Sequence, residues 1–132
     1  MKNLIFSLSF AFISLFFIQS CNSQKYVLKD VPADKLEKTY TITKSEILEI
    51  EIASNPTTGF TWEIANKIKP KVIEEFSKDY IKKENEEMVG AGGYDIFKFI
   101  PKKIGEVFLH FKYVRKDGKS DKEKFFKVIV TE

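Results

Sequence analysis

Cysteine, histidine and arginine are each present only once among the 132 residues, and each scarcity argues against a class of protein. The cysteine is at position 21, at the end of an apolar leader, so the folded part has no disulfide and no thiol nucleophile. A Ser-His or Cys-His catalytic arrangement needs a well-placed base, and this sequence offers a single histidine for that role. A usual zinc site needs several cysteine or histidine ligands, which one histidine cannot provide. We therefore expect no enzyme, no metal and no other cofactor.

The basic residues do not resemble a nucleic-acid-binding surface. Lysines are interleaved with glutamates along the chain, and Arg115 alone provides no set of bidentate phosphate contacts. Removing Lys2 with the leader leaves 21 basic and 19 acidic residues, a net charge of +2. That balance predicts no nucleic acid partner.

The first 20 residues have the pattern of a secretory signal peptide. Lys2 precedes an apolar run over residues 4–18 that only serines interrupt, and the first acidic residue is Asp30. The run is too short to be interpreted first as a membrane span. We therefore expect residues 1–20 to be removed on export.

Ser20 and Cys21 resemble the processing site of a bacterial lipoprotein, which makes Cys21 a candidate lipidation site. The expected location is then a membrane-anchored lipoprotein, periplasmic or at the cell surface. The alternative is an ordinary cleavage near Ser20 or Ser23, which gives a secreted soluble protein.

Residues 22–38 carry charges, proline and few large apolar side chains, which is typical of a tether or lead-in, so the folded domain is expected over residues 39–132. Residues 48–52 and 60–64 alternate apolar and polar side chains, the period of a half-buried strand, with Trp62 on the inner face. The loop between them covers residues 53–59.

Turn residues divide the rest of the domain into short strands. Further strands are expected near residues 39–43, 71–76, 79–82, 94–100, 107–114 and 125–130. The charged residues 82–87 are predicted to form a solvated loop or a short helix. About seven to eight short antiparallel strands without a long amphipathic helix predict an all-β fold of the immunoglobulin-like β-sandwich type.

Two sets of titratable residues could suggest catalysis, but each has a simpler interpretation. Glu49 and Glu51 could form an acid/base pair for glycoside chemistry, yet on a strand they are the solvated face opposite Leu48 and Ile50. His110 shares a strand face with Lys112, which predicts an ordinary half-exposed residue.

Three motifs follow one another in the order of a known family: Asn-Pro-Thr-Thr-Gly-Phe at 55–60, Gly-Ala-Gly-Gly at 90–93 and Tyr-Val-Arg at 113–115. Together they resemble the chagasin-type inhibitors of papain-like cysteine proteases. The resemblance covers essentially the whole domain and implies an immunoglobulin-like sandwich that blocks the protease cleft with three loops, most simply as a monomer. The protease-binding residues that it implies are Asn55, Pro56, Thr57, Thr58, Gly59, Phe60, Gly90, Gly92, Gly93 and Arg115.

By this resemblance, Thr57 and Thr58 press against the catalytic cysteine and histidine of the protease, and Gly59 turns the chain back into its strand. Gly92 and Gly93 let a second loop approach the enzyme by its backbone alone. Locally, two other interpretations stay open: residues 55–59 as a well-made turn capped by Asn55, and the glycines as a hinge.

The third motif departs from the family pattern of arginine-proline-tryptophan. Lys116 and Asp117 follow Arg115, so the expected tryptophan contact is absent. The alternative function is an immunoglobulin-like surface module that binds a protein or glycan without inhibiting any protease.

Overall fold

Alternation of apolar and polar side chains builds the seven strands, because every second side chain in a strand points to the same face. The computed structural model describes residues 31–68, 72–84 and 90–132. Within these ranges the helical elements are two single 3-10 turns, Ala33–Lys35 and Pro56–Thr58. The strands are β1 (Leu36–Thr43), β2 (Leu48–Ser54), β3 (Phe60–Ile64), β4 (Ile73–Lys82), β5 (Gly93–Pro101), β6 (Gly105–Arg115) and β7 (Ser120–Thr131).

The strands form two sheets, one in the order β1-β7-β6-β3 and the other in the order β2-β5-β4. This confirms the all-β sandwich. One pairing differs from the prediction of antiparallel strands: β1 lies parallel to β7, with Tyr40 opposite Val128. Parallel neighbours need a long connection, and here the rest of the domain provides it.

The core lies between the two sheets and is rich in aromatic side chains. Trp62 is 1% exposed, which confirms its predicted inward position. The Phe97 ring lies edge-on to Phe111, with centroids 4.7 Å apart, which joins the two sheets. Burying a side chain of this size stabilises the fold by about 1.5–3 kcal/mol relative to leaving it exposed.

Three strands differ most from the limits that the sequence predicted. β1 begins at Leu36 rather than near Thr39, and β7 begins at Ser120 rather than near Phe125. The two short pieces expected near 71–76 and 79–82 are one strand, β4, whose register with β5 shifts between Glu75 and Ser77. That shift places an extra residue, Phe76, in the strand and breaks the simple alternation from which strands are predicted.

Two side chains from the second sheet bind the outer edge of β3. β3 is the last strand of its sheet, so its outer backbone groups lack a neighbouring strand. The Trp62 N–H donates to Oδ2 of the buried Asp95 (3.4 Å), and Lys78 Nζ donates to the Trp62 carbonyl (2.7 Å). Lys78 Nζ also lies 3.7 Å from Asp95 Oδ2. This arrangement satisfies both backbone groups of Trp62 and fixes β3 against the second sheet.

His110 is buried, so the prediction of a half-exposed residue is wrong. The residue is 3% exposed, and its ring stacks on Phe125 with centroids 4.2 Å apart. Its backbone N–H donates to Oδ1 of the buried Asn66 (2.8 Å), which comes from the segment after β3. His110 does lie on the strand face that the sequence predicted, but neighbouring side chains cover it there.

We expect stability to fall as the pH falls below about 6.5. Burial lowers the pKa of His110 from its ordinary value of 6.5, and this outweighs the opposing effect of Glu123. Below this pH the unfolded chain binds a proton at His110 more readily than the folded protein does. The contribution of the neutral His110 side chain to the free energy of unfolding is therefore complete above pH 6.5 and is lost on acidification. Urea unfolding at pH 7.5 and 5.5 measures the difference.

His110→Gln is the control for this pH dependence, because glutamine is polar and does not titrate. Its free energy of unfolding should change less between the two pH values than that of the wild type. An equal change in both proteins would show that another group is responsible.

The leader, Cys21 and most of the predicted tether lie outside the described residues, as do residues 85–87 of the charged stretch. In the ranges that are described, no helix is long and apolar enough to cross a membrane.

Candidate functional site

Three loops meet at one end of the sandwich because the strands that carry them end together. Ser54, Gly93 and Lys82 are neighbours across the second sheet, so the loop after β2 and the loop between β4 and β5 leave from the same edge. Phe60 at the start of β3 pairs with Arg115 at the end of β6, which brings in the loop before β7. We call them the first loop (residues 55–59), the second loop (83–92) and the third loop (116–119).

The first loop is a 3-10 turn held by its own side chains. Asn55 Oδ1 accepts the Thr57 N–H (3.2 Å) and the Thr57 hydroxyl (2.6 Å), and the Thr58 hydroxyl donates to the Asn55 carbonyl (2.7 Å). Pro56 occupies the first helical position, where its fixed φ fits. Gly59 ends the turn at φ 81°, a conformation that favours glycine, as the sequence predicted.

Both threonines are exposed at the tip of this turn. Their hydroxyl protons are used inside the loop, so the oxygens remain available as acceptors toward a partner. The local prediction of a turn capped by Asn55 is confirmed, and this turn also presents two small polar side chains at its tip.

A tyrosine from β6 anchors the first loop to the core. The Tyr113 hydroxyl accepts the Asn55 N–H (2.9 Å) and donates to the Asn55 carbonyl (3.2 Å). Its ring packs on Phe60 (5.3 Å) and Trp62 (4.9 Å). Sequence reasoning missed this role, although a tyrosine on an inward strand face signals that its hydroxyl needs a polar partner.

We expect Tyr113→Phe to weaken binding through the first loop. The ring still packs, but two hydrogen bonds to Asn55 are lost, each worth about 0.5–1.5 kcal/mol net. If about 1 kcal/mol of this appears as loss of binding, the inhibition constant for a target protease rises roughly fivefold. Steady-state inhibition kinetics and a thermal melt measure the two effects.

Tyr40→Phe, which removes a hydroxyl from β1, is the matched control and should leave inhibition unchanged. If Tyr113→Phe also inhibits like the wild type, the hydroxyl does not position the loop.

The second loop touches the first. Asn55 Nδ2 donates to the Gly90 carbonyl (3.1 Å), and the Lys83 N–H donates to the Gly92 carbonyl (3.3 Å), which closes the base of the loop. A Cβ on Gly92 would lie 3.0 Å from the Ser54 carbonyl oxygen. The close approach of Gly92 therefore brings the second loop against the end of β2, next to the base of the first loop. Residues 85–89 lie outside the described ranges.

Gly93 belongs to β5 rather than to the second loop. A Cβ there would collide with the Ile81 carbonyl and with the Tyr80 ring. The sheet itself therefore requires glycine at this position.

The third loop is organised by the residue that stands where the family pattern has tryptophan. Asp117 accepts hydrogen bonds from Arg115 Nε (3.1 Å) and from the Lys119 N–H (3.1 Å). The hydrogen bond with Arg115 is the largest cause that lowers the pKa of Asp117. The Arg115 guanidinium also lies 5.5 Å from the Phe60 ring centroid, which places it beside the first loop.

Open grooves on both sides make the first loop the central ridge of this end. A groove of about 530 Å³ is lined by Asn55 and Thr58 together with Gly92 and Tyr94. Another of about 400 Å³ lies between Pro56 and Gly59 on one side and Arg115 and Lys116 on the other. All ten residues expected to bind a protease lie at this end. Seven of them belong to the first and second loops, whereas Phe60 and Gly93 begin β3 and β5, and Arg115 ends β6.

No group of three or more side chains that could hold a metal ion is found in the described ranges. The loop end offers threonine hydroxyls, backbone groups and an arginine already paired with Asp117. This end of the sandwich therefore presents a stiff polar ridge between two grooves, a shape that complements a concave surface.

The chain belongs to the chagasin family of peptidase inhibitors (I42), whose sequence model matches residues 41–130. This membership places it among inhibitors rather than enzymes. Chagasin from Trypanosoma cruzi is 33% identical over 80 residues, which cover 58% of this chain and 72% of chagasin.

Two solved structures have the same fold. The cysteine protease inhibitor EhICP2 from Entamoeba histolytica aligns with a TM-score of 0.62 and 19% identity, over 75% of this chain and 91% of EhICP2. Amebosin aligns with a TM-score of 0.56 and 24% identity, over 75% of this chain and 93% of amebosin.

Proposed function

We propose that the protein, a cysteine protease inhibitor by family, reversibly blocks papain-like proteases by inserting the first loop into their active-site cleft. The observation that carries this proposal is the turn at residues 55–59, which holds Thr57 and Thr58 exposed on a ridge between two grooves. Thr57 and Thr58 then lie against the catalytic cysteine and histidine of the protease.

Rigidity supports this mechanism. The turn is closed by hydrogen bonds that Asn55 accepts, and Tyr113 ties it to the core, so little conformational entropy remains to be lost on binding. A 3-10 turn with internal hydrogen bonds does not offer extended backbone to the protease. We therefore expect the loop to occupy the cleft without being cut.

The flanking loops extend the contact on both sides. Gly90 and Gly92 bring the backbone of the second loop close to the first and carry no side chains of their own. Arg115 contributes from the other side, held by Asp117. An interface tryptophan is often worth about 2 kcal/mol, so its replacement by Asp117 should weaken binding roughly thirtyfold relative to relatives that have it.

A steady-state titration against papain and a cathepsin L-type protease tests the proposal. We expect reversible inhibition, with activity recovered on dilution and the inhibitor recovered uncut. A folded protein that inhibits neither enzyme would contradict it and would favour the surface binding module; pull-downs would then identify the partner.

We also propose that the protein is exported and attached to a membrane through lipid on Cys21, and that it acts as a monomer. The apolar leader before Cys21 supports the first part. Mass spectrometry of the membrane fraction should find an acylated Cys21, and Cys21→Ser should release the protein from that fraction.

A further inference from the structure

Two large apolar side chains are exposed on the outer face of the second sheet beside the loop end. Ile81 of β4 and Tyr94 of β5 are directly opposite each other in the ladder and are 54% and 38% exposed. Opposite residues of an antiparallel pair share one face, so they form a single patch on the outer face of the second sheet. Ala53 of β2, opposite Tyr94 on its other side, extends the patch across all three strands. We call these three residues the apolar row.

The apolar row is the last outward-facing row of the sheet before the loops. The ladder ends one residue further on, at Ser54, Gly93 and Lys82, where the first and second loops begin. At about 3.4 Å per residue, the row lies within roughly 7 Å of the loop bases along the strands. Tyr94 also lines the groove between these two loops, so the row continues the loop end without a gap.

The next outward row is charged at both sides. Glu51 and Asp79 are opposite Ile96 on β2 and β4, and both are exposed. Apolar side chains at the centre and carboxylates at the border are typical of a protein interface, in which a polar rim surrounds an apolar area. Tyrosine is also among the residues that most often dominate binding energy.

We propose that the apolar row is part of the protease-binding surface and packs on an apolar area beside the active-site cleft. This rests on the proposed function, because the partner is the same protease that receives the first loop. A partner seated on the ridge of the first loop extends over the loop bases, and the apolar row is the row of outward side chains of this sheet that lies nearest to those bases.

The double variant Ile81→Thr/Tyr94→Thr tests the proposal, since threonine is small and suits an exposed strand position. Its inhibition constant for papain or the cathepsin L-type protease should rise roughly tenfold to thirtyfold, mainly through faster dissociation. The matched control is Ile47→Thr/Ile104→Thr. Those residues are 56% and 45% exposed and lie at the opposite end of the sandwich, so their variant should inhibit like the wild type.

The outcomes separate this inference from the function on which it rests. If the wild type inhibits and the Ile81/Tyr94 variant inhibits within twofold of it, the inference fails and the inhibitor function stands. If the wild type inhibits neither protease, both fail. Analytical sedimentation tests whether the apolar row instead binds a second copy of this chain. A dimeric wild type and a monomeric variant that inhibits equally well would show this, and that result would also overturn the inference.

Discussion

Replacing Thr57 by arginine should abolish inhibition while the sandwich stays folded. Thr57 is exposed at the tip of the first loop, so the longer side chain is accommodated in solvent in the free protein. In the proposed complex the same position lies against the catalytic cysteine and histidine of the protease, where arginine adds both bulk and an unpaired charge. Leaving such a charge buried at an interface costs about 2–5 kcal/mol, so we expect the inhibition constant to rise by about thirtyfold to a few thousandfold.

Two variants make this result specific. Thr57→Ser keeps a hydroxyl for the bond to Asn55 Oδ1 and should retain most of the inhibition. Ser45→Arg adds the same charge in the turn between β1 and β2, at the opposite end, and should inhibit normally. Thermal melts establish that all three proteins are folded. Normal inhibition by a folded Thr57→Arg protein would remove the first loop from the mechanism.

Alternation predicted the strands where one face meets the core and the other meets solvent. In β2, Leu48 and Ile50 are buried while Glu49 and Glu51 are exposed, as expected. Glu49 forms an ion pair with Lys98 at 3.0 Å, which agrees with a solvated face rather than a catalytic pair. The predicted limits of β3 also match the structure.

Alternation failed where a non-local contact decides the structure. The bulge at Phe76 belongs to the pairing of β4 with β5, and the burial of His110 depends on Phe125 and Asn66, which come from other segments. The parallel placement of β1 beside β7 joins the two ends of the domain. None of these contacts leaves a periodic signal in the local sequence.

The candidate site, too, was predictable only where the role of a residue is local. Asn55, Pro56 and Gly59 mark the first loop because their roles in a turn are local. The anchor to Tyr113 spans 58 residues, and the requirement for Gly93 comes from Ile81 on the neighbouring strand. A motif therefore locates the loop, whereas the side chains that hold it in place are known only from the packing.

Trp62→Ala should cause the largest loss of stability. Trp62 is among the largest fully buried side chains, and its indole N–H donates to the Ala53 carbonyl (2.9 Å) just before the first loop. Truncating a buried tryptophan costs about 3–5 kcal/mol, a large part of the 5–15 kcal/mol that stabilises a typical domain. At roughly 4–8 °C per kcal/mol, Tm should fall by about 12–40 °C.

Trp62→Phe separates the volume of the ring from its hydrogen bond. Phenylalanine fills much of the space against Tyr113 but leaves the Ala53 carbonyl without the indole donor, so we expect a loss of about 1–3 kcal/mol by urea unfolding. Because Trp62 packs on the tyrosine that anchors Asn55, the inhibition constant of this folded variant should also rise. A Trp62→Ala protein as stable as Trp62→Phe would contradict the central position of the indole in the core, since the cavity would then cost nothing.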